Sequence, residues 1–365
     1  RLAFIQLLNE QPLDKISIKD IAERSGVTIG SVHCALYGKP GVGDATRERI
    51  IETAAGLGYK PNSAAASLKR KPLRIAVSFP GNTAESGYYF GFIWNGIRDW
   101  FSVQNDLNLE IVEAPFSPGQ KSHAEVLGEL LNGQHIDGLI TTGETNAEGA
   151  ACILSTIDSG IPVVLVSTDL PLSHRLCCVL PDYDAVGRII AELISRQIPK
   201  DAGILLCAGE VDSPSHYMIA NGFCAYMKEQ QMRNPLYKIH PVNLSRESLD
   251  MLSFSIMSHP DIGACVAVNA RGSLLLGRAI DSLGLKGRVI ALGNDMFGEN
   301  LECLRSGIFT NLVDKRPYTQ AYTAAKYMTE YLMSGKMPPL DTVYVSSEVV
   351  FKSSLTTNSY LNPLL

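Results

Sequence analysis

Apolar positions in the first sixty residues recur at helical spacing and predict three short helices. The first covers residues 17–25, where Ser17 and Asp20 form a capping-box pattern before a glycine stop. The second runs from 29 to about 37 and the third from 44 to about 57. The apolar positions expected to face inward are Ile18, Ile21, Ala22, Val32, Leu36, Ile50, Ala54 and Leu57. Two helices joined by a tight glycine turn and supported by a third are the plan of a helix-turn-helix domain.

The alanine-rich segment NSAAASLK (62–69) follows the third helix. A helix of this length is marginal in water, where isolated helices shorter than ~12–15 residues seldom persist. The segment is therefore either a flexible linker or a hinge helix that folds only on DNA. In the second case, Leu68 is suited to act as an apolar wedge in the minor groove.

From residue 73 onward, short apolar runs alternate with helical stretches. Continuous Val, Ile and Leu are typical of parallel strands that are buried on both faces. The runs include RIAVSF (74–79), DGLIT (137–141), PVVLV (162–166), GILLC (203–207), ACVAV (264–268) and RVIAL (288–292). About ten such strands in a region of this length favour two α/β lobes over one.

The chain of 365 residues is 45% hydrophobic and 19% charged, the balance of a globular protein. No apolar run reaches the ~18–20 residues of a membrane helix, and the opening residues lack a secretory-signal pattern, so we expect a cytoplasmic protein without a membrane partner.

The net charge of −5 first argues against nucleic acid. However, residues 1–72 carry eleven Lys and Arg against seven acids (+4), whereas residues 73–365 carry 21 against 30 (−9). This asymmetry predicts two parts that face different partners.

No motif for catalysis, metal or cofactor binding is present. The turn after the first strand, FPGNTAESGYYFG, lacks the G-x-G-x-x-G of dinucleotide-binding folds, and the phosphate-loop, G-x-S-x-G and H-E-x-x-H motifs are missing. The eight cysteines are scattered without a C-x-x-C pair or histidines at zinc spacing. We therefore expect no enzyme, no metal, no cofactor and reduced thiols.

Residues 17–68 resemble the DNA-binding head and hinge of the lactose-repressor (LacI/GalR) family. The motifs are D-I-A…S-G-V-T…S-V…A-L, V-G-D-A-T-R-E-R-I and G-Y-K-P-N, in this order and without a gap. The resemblance implies a homodimeric bacterial regulator, most often a repressor, that binds near-palindromic double-stranded operator DNA in the nucleoid. It implies base readout by Ile29, Gly30 and Cys34, backbone contacts by Ser17, Thr28, Ser31, His33, Tyr37 and Asn62, and insertion of Leu68.

One position in the second helix departs from this family. The family usually has Arg where this chain has Cys34, and a thiol cannot form the bidentate contact that Arg makes with guanine. Base discrimination then depends on His33, on methyl contacts through Ile29, or on operator shape.

The remainder, from 73 to about 353, resembles the type I periplasmic sugar-binding fold, which this family uses as its effector sensor. The markers are Tyr89-Phe90 ahead of Gly96-Ile97, I-D-G-L-I (136–140), G-I-P-V-V (160–164), D-Y-D-A-V-G (182–187), N-G-F (221–223), G-N-D (293–295) and S-G-I-F-T (306–310). The resemblance implies a small carbohydrate-like effector bound between two α/β lobes with parallel sheets.

A sugar site needs aromatic faces and polar groups that bind vicinal hydroxyls. Tyr89 and Phe90 are candidates for the platform, although plain core aromatics give the same pattern. Four polar residues follow strand-like runs, where ligands of open α/β sheets bind and where helix caps also occur. They are Asp169, Asp182, Asn269 and Asp295.

Two further candidate effector positions depart from many relatives. Ile219 stands in place of an Arg, and Lys315 aligns with a usual Gln. Loss of the Arg guanidinium and gain of a Lys ammonium would suit an acidic or phosphorylated sugar, although an unrelated polar ligand is also compatible.

These features predict an all-α head (1–61), a hinge (62–72) and a body for effector binding and dimerisation (73–365). Predicted lobe boundaries are 73–180 with 314–339 for the N-lobe and 181–313 with 340–355 for the C-lobe, with crossings near 178–181, 310–315 and 338–342. The alternative is a sugar-binding receptor without DNA function, which the basic head opposes. The sequence leaves open whether the effector releases or promotes DNA binding, and dimer versus tetramer.

Overall fold

The computed structural model describes residues 16–36, 40–59, 71–83, 86–104, 107–117, 119–144, 146–241 and 243–356. The chain divides into two compact units, residues 1–70 and residues 71–365. The first unit contains helices α1 (Ile18–Ser25), α2 (Ile29–Leu36) and α3 (Asp44–Gly56). These helices confirm the three predicted from the apolar spacing.

The head has its own small core, in which Ile21, Val32 and Ile50 are fully buried. The predicted capping box is present at α1: the Ser17 hydroxyl accepts the Asp20 N–H, and the Asp20 carboxylate accepts the Ser17 N–H at 2.7 Å. The predicted hinge (62–69) with Asn62 and Leu68, and Tyr37 after α2, lie outside the described residues.

The second unit contains two six-stranded sheets, each the centre of one lobe. Strands and helices are numbered in chain order. The first lobe comprises β1 (Leu73–Ser78), α4 (Gly87–Ser102), β2 (Leu109–Glu113), α5 (His123–Gly133), β3 (Gly138–Thr141), α6 (Ala147–Asp158), β4 (Val163–Val166), β5 (Cys177–Pro181), α12 (Pro317–Ser334) and β11 (Thr342–Val345). The strand order is β11-β5-β4-β3-β1-β2 and every pairing is parallel.

The second lobe repeats this architecture. It comprises α7 (Tyr183–Ser195), β6 (Gly203–Cys207), α8 (Pro214–Glu229), β7 (Leu236–Ile239), α9 (Arg246–Ser258), β8 (Ile262–Ala267), α10 (Ala270–Ser282), β9 (Ile290–Asn294), α11 (Gly298–Ser306), β10 (Asn311–Asp314), β12 (Glu348–Phe351) and a 3₁₀ turn (Lys352–Thr356). The order is β12-β10-β9-β8-β6-β7, and β12 is an antiparallel edge strand. The two-lobed α/β prediction is confirmed, with central strands buried on both faces.

One predicted crossing between the lobes is wrong. The chain leaves the first sheet after β5 and the second sheet after β10, close to the predicted places. However, β11 pairs in parallel with β5, and Val345 is buried in the first-lobe core. The third crossing therefore lies at 346–347, not at 338–342. TVYV and EVVF are both strand-like, and only their packing decides which sheet each one joins.

Helices α7 and α8 approach each other so closely that Gly187 admits no side chain. A Cβ at Gly187 would overlap the carbonyl oxygen of Ile219 in α8. We expect Gly187→Ala to lower the free energy of unfolding by about 1–3 kcal/mol, because the backbones must separate. A urea titration measures this loss. The matched control is Gly128→Ala in α5, where a Cβ would meet nothing within 4 Å and the change should stabilise by about 0.5–1 kcal/mol. Equal stabilisation by both changes would contradict the close packing.

Candidate functional site

A cavity of about 870 Å³ lies between the two lobes, at the carboxyl ends of their strands. Its size is in the range of small-molecule sites, and its wall combines aromatic rings with many hydroxyl groups. Six of the eight predicted effector residues line it: Tyr89, Phe90, Ile219, Asn269, Asp295 and Lys315.

The other two predicted effector residues do not line the cavity. The carboxylate of Asp169 accepts a hydrogen bond from Arg175 Nη2 at 2.6 Å. Asp182 is the N-cap of α7 and accepts the Ala185 N–H at 3.0 Å. Both carboxylates are engaged by local partners, so their assignment to the effector site is corrected. A strand end supplies helix caps and ion pairs as readily as ligand groups.

Asp295 is the central polar group of the cavity. Its side chain is 1% exposed and its backbone has φ 68°, a left-handed conformation that Asp tolerates better than most residues. Lys315 Nζ lies 2.7 Å from Oδ2 and 3.0 Å from Asn294 Oδ1. Burial raises the pKa of Asp295, and the Lys315 ammonium opposes this shift. The other carboxylate oxygen, Oδ1, is buried and has no hydrogen-bond partner among the described residues, so it is an unsatisfied acceptor in a residue of the cavity wall.

A network of neutral polar groups joins the lobes beside this ion pair. The Tyr89 hydroxyl lies 2.8 Å from Ser167 Oγ, and Tyr183 at the start of α7 donates to the Ser167 carbonyl at 2.8 Å. Ser167 Oγ also donates to Gln320, which is fully buried and donates in turn to the Lys315 carbonyl. Sequence reasoning missed Ser167, Tyr183 and Gln320, because a single polar residue in a helix or loop carries no periodic signal.

Tyr88 of the cavity wall belongs to an apolar cluster that spans the two lobes. Tyr88 from α4 and Phe297 from the second lobe lie 4.7 Å apart between ring centroids. Phe92 packs with them against Leu274. This apolar cluster connects the lobes directly, so opening of the cavity exposes it to water.

The charged groups of the wall are arranged in pairs. Besides Lys315 with Asp295, Arg271 Nη2 lies 2.6 Å from Glu210 Oε1. His216 also lines the cavity, and burial together with the nearby Lys315 and Arg271 lowers its pKa to about 3. The sequence did not mark Glu210, Arg271 or His216 as site residues.

In the head, α2 presents the predicted base-reading positions on its outer face. Ile29 is 54% exposed and Gly30 is exposed, whereas Ser31, His33 and Cys34 are half-buried. Thr28 Oγ1 accepts the Ser31 N–H at 3.1 Å and so caps the helix. Arg47 from α3 donates to the Cys34 and Ala35 carbonyls, which holds the last turn of α2.

The part of the chain that the structure describes was compared with the requirements of metal sites and of membrane-spanning helices. It contains no group of three or more His, Cys, Asp or Glu placed to hold a metal ion. None of its helices has the length and apolar character required to cross a bilayer.

Two family models match the chain. Residues 78–337 match the periplasmic binding protein domain, and residues 17–62 match the bacterial regulatory proteins of the lacI family. The second match covers the described helices of the head, and the first covers most of both lobes.

The chain is also similar to individual proteins. Catabolite control protein A of Streptococcus mutans is 28% identical over 190 residues, 52% of this chain and 54% of that protein. The D-allose-binding periplasmic protein of Escherichia coli is 26% identical over 166 residues, 45% of this chain and 53% of that protein. The chain thus spans about half the length of the curated relatives it matches. A putative LacI transcriptional regulator from Bacteroides fragilis superposes with a TM-score of 0.68 at 17% identity, covering 78% of this chain and 99% of that one.

Proposed function

The chain belongs to the periplasmic binding protein domain family and has a lacI-family regulatory domain at its head, and on this basis we propose that it is a DNA-binding transcriptional regulator controlled by a carbohydrate-like effector. One observation carries the proposal. The same chain joins a helix-turn-helix with an exposed recognition face to an interlobe cavity containing the buried, unpartnered Oδ1 of Asp295. The first feature serves DNA and the second serves a small polar ligand.

A carbohydrate-like effector is supported by the wall chemistry and by the relatives. Hydroxyl, amide and carboxylate groups alternate with aromatic faces, which matches a ligand with polar edges and C–H faces. One matching relative is named for D-allose binding and another for catabolite control.

The regulatory mechanism that we propose is a shift between two arrangements of the lobes. Three chain segments cross between the lobes, so closure on a ligand rotates one lobe relative to the other about these crossings. In a homodimer in the cytoplasm, this rotation changes whether the paired hinge segments (62–69) fold on operator DNA. An effector with ~100-fold preference for one arrangement shifts the balance by about 2.7 kcal/mol.

Selection of duplexes from a random DNA library by the full chain tests the DNA function. We expect enrichment of near-palindromic sites. Ile29→Ala should lower affinity for the selected duplex about 10-fold, because it removes an exposed apolar contact from α2. The matched control is Ile51→Ala, an isoleucine of α3 that is 48% exposed and outside the recognition helix, and should leave affinity unchanged. Failure to enrich any duplex would favour a sugar-binding receptor without DNA function.

A further inference from the structure

His216 and Asn269 form a pair of hydrogen-bond donors in the cavity wall. Asn269 is the N-cap of α10, and its Oδ1 accepts the Gly272 N–H at 2.7 Å, which leaves Nδ2 as a donor. His216 Nδ1 accepts the Glu210 N–H at 3.1 Å, so the ring proton resides on Nε2. The two donor nitrogens, Asn269 Nδ2 and His216 Nε2, lie 3.2 Å apart.

These two nitrogens do not satisfy each other, because both carry hydrogen. In the other neutral tautomer of His216 the proton is on Nδ1. Two donors again face each other, because Nδ1–H then points at the Glu210 N–H. Protonation of the ring creates both conflicts at once. A neutral ring with an external oxygen that accepts from both Nε2 and Nδ2 would satisfy both donors.

Gly209 makes this arrangement possible. It follows β6 with φ 69°, and a Cβ there would lie 2.8 Å from His216 Nδ1 and 2.9 Å from Asn269 Nδ2. The bare backbone at this position lets the two side chains converge from α8 and α10 on one point of the wall.

The charges of the wall specify the ligand further. The sequence alone suggests that Lys315 binds an anionic sugar, but the Lys315 ammonium lies 2.7 Å from Asp295 Oδ2. Arg271 is likewise paired with Glu210 at 2.6 Å. Each described cation of the lining is therefore offset by a carboxylate, and a bound carboxylate or phosphate would lose its hydration without gaining an uncompensated counter-charge.

We infer that the effector is an uncharged sugar or polyol, and that one of its oxygens accepts hydrogen bonds from His216 and Asn269 while a hydroxyl donates to Asp295. This inference rests on the proposed sugar-responsive function and specifies its ligand class. We refer to these two donors, His216 Nε2 and Asn269 Nδ2, as the fork.

Calorimetric and thermal-shift titrations of the full chain with matched probes test the ligand class. The uncharged probes are D-ribose, D-allose, D-glucose, D-galactose and myo-inositol, and the anionic probes are D-glucuronate, D-galacturonate and D-ribose 5-phosphate. We expect at least one uncharged probe to bind and every anionic probe to bind at least 10-fold more weakly. An anionic probe that binds more tightly than all uncharged ones overturns the ligand class.

Asn269→Asp tests the fork without removing the helix cap. Asp is as good an N-cap as Asn, but its second oxygen replaces the Nδ2 donor. We expect Kd for the bound uncharged sugar to rise about 10- to 100-fold. The control is Asn146→Asp, the same exchange at the N-cap of α6 and outside the cavity wall, which should leave Kd unchanged. His216→Leu should weaken binding similarly, and thermal unfolding of each unliganded variant verifies that it is folded.

The outcomes test the His216–Asn269 donor pair and the sugar-responsive function separately. If the wild type binds a sugar and the Asn269 and His216 variants bind it equally well, the fork is overturned while sugar sensing stands. If the wild type binds none of the uncharged probes, the sugar-responsive function and the inferred ligand class both fail.

Discussion

Asp295→Ala is expected to abolish sugar binding and to destabilise the body. The substitution removes the buried acceptor Oδ1 and leaves the Lys315 ammonium, which is also buried, without its carboxylate. Breaking a buried ion pair by removing one partner costs about 3–5 kcal/mol. Calorimetry with the uncharged sugars and urea unfolding measure the two losses separately.

A second variant distinguishes lost binding from lost structure. In Asp295→Asn with Lys315→Met, neither buried charge remains, and Asn tolerates the left-handed backbone of position 295. We expect this double variant to recover most of the stability but only a small part of the affinity, because the neutral amide oxygen of Asn is a weaker acceptor than a carboxylate. Wild-type affinity in either variant would remove Asp295 from the site.

Operator affinity is expected to fall about 10³- to 10⁵-fold between roughly 50 and 200 mM salt. Residues 1–72, the predicted head and hinge together, carry a net charge of +4, and each phosphate contact by a Lys or Arg releases counterions from DNA. Fluorescence anisotropy with the selected duplex across a potassium chloride series measures this dependence. A nearly flat response would contradict an electrostatic DNA interface.

Sugar binding in the same salt series is the internal control. The ion pairs of the cavity are partly or fully buried, and the inferred ligand is uncharged, so its Kd should change little. Equal salt dependence of both reactions would indicate a general effect of salt on the protein.

Local patterns predicted the head with high accuracy. Ser17 with Asp20 and Thr28 mark the beginnings of α1 and α2, and the helical spacing identifies Ile21, Val32 and Ile50 as core. These features depend on neighbours within four residues or on the chemistry of a single turn. Such information is contained in a short window of sequence.

The effector site was only partly predictable, because it depends on contacts between residues that are distant in the sequence. Asp169, Asp182, Asn269 and Asp295 all follow strands, yet only the last two reach the cavity. The side chain of Asp182 is used by its own helix, whereas Asn269 caps a helix with one atom and faces the cavity with another. Which role a polar residue takes depends on partners far away in the chain.

The sequence by itself determined the two-part organisation, the helix-turn-helix head and the alternation of buried strands with helices, because charge distribution, caps and periodicity are local properties. Only the tertiary structure decided that β11 belongs to the first lobe, that Lys315 is neutralised by Asp295, and that His216 and Asn269 meet. Each of these depends on contacts between segments distant in sequence. The charge of Lys315 shows the difference clearly: the residue alone suggests an anionic ligand, and its buried partner reverses that conclusion.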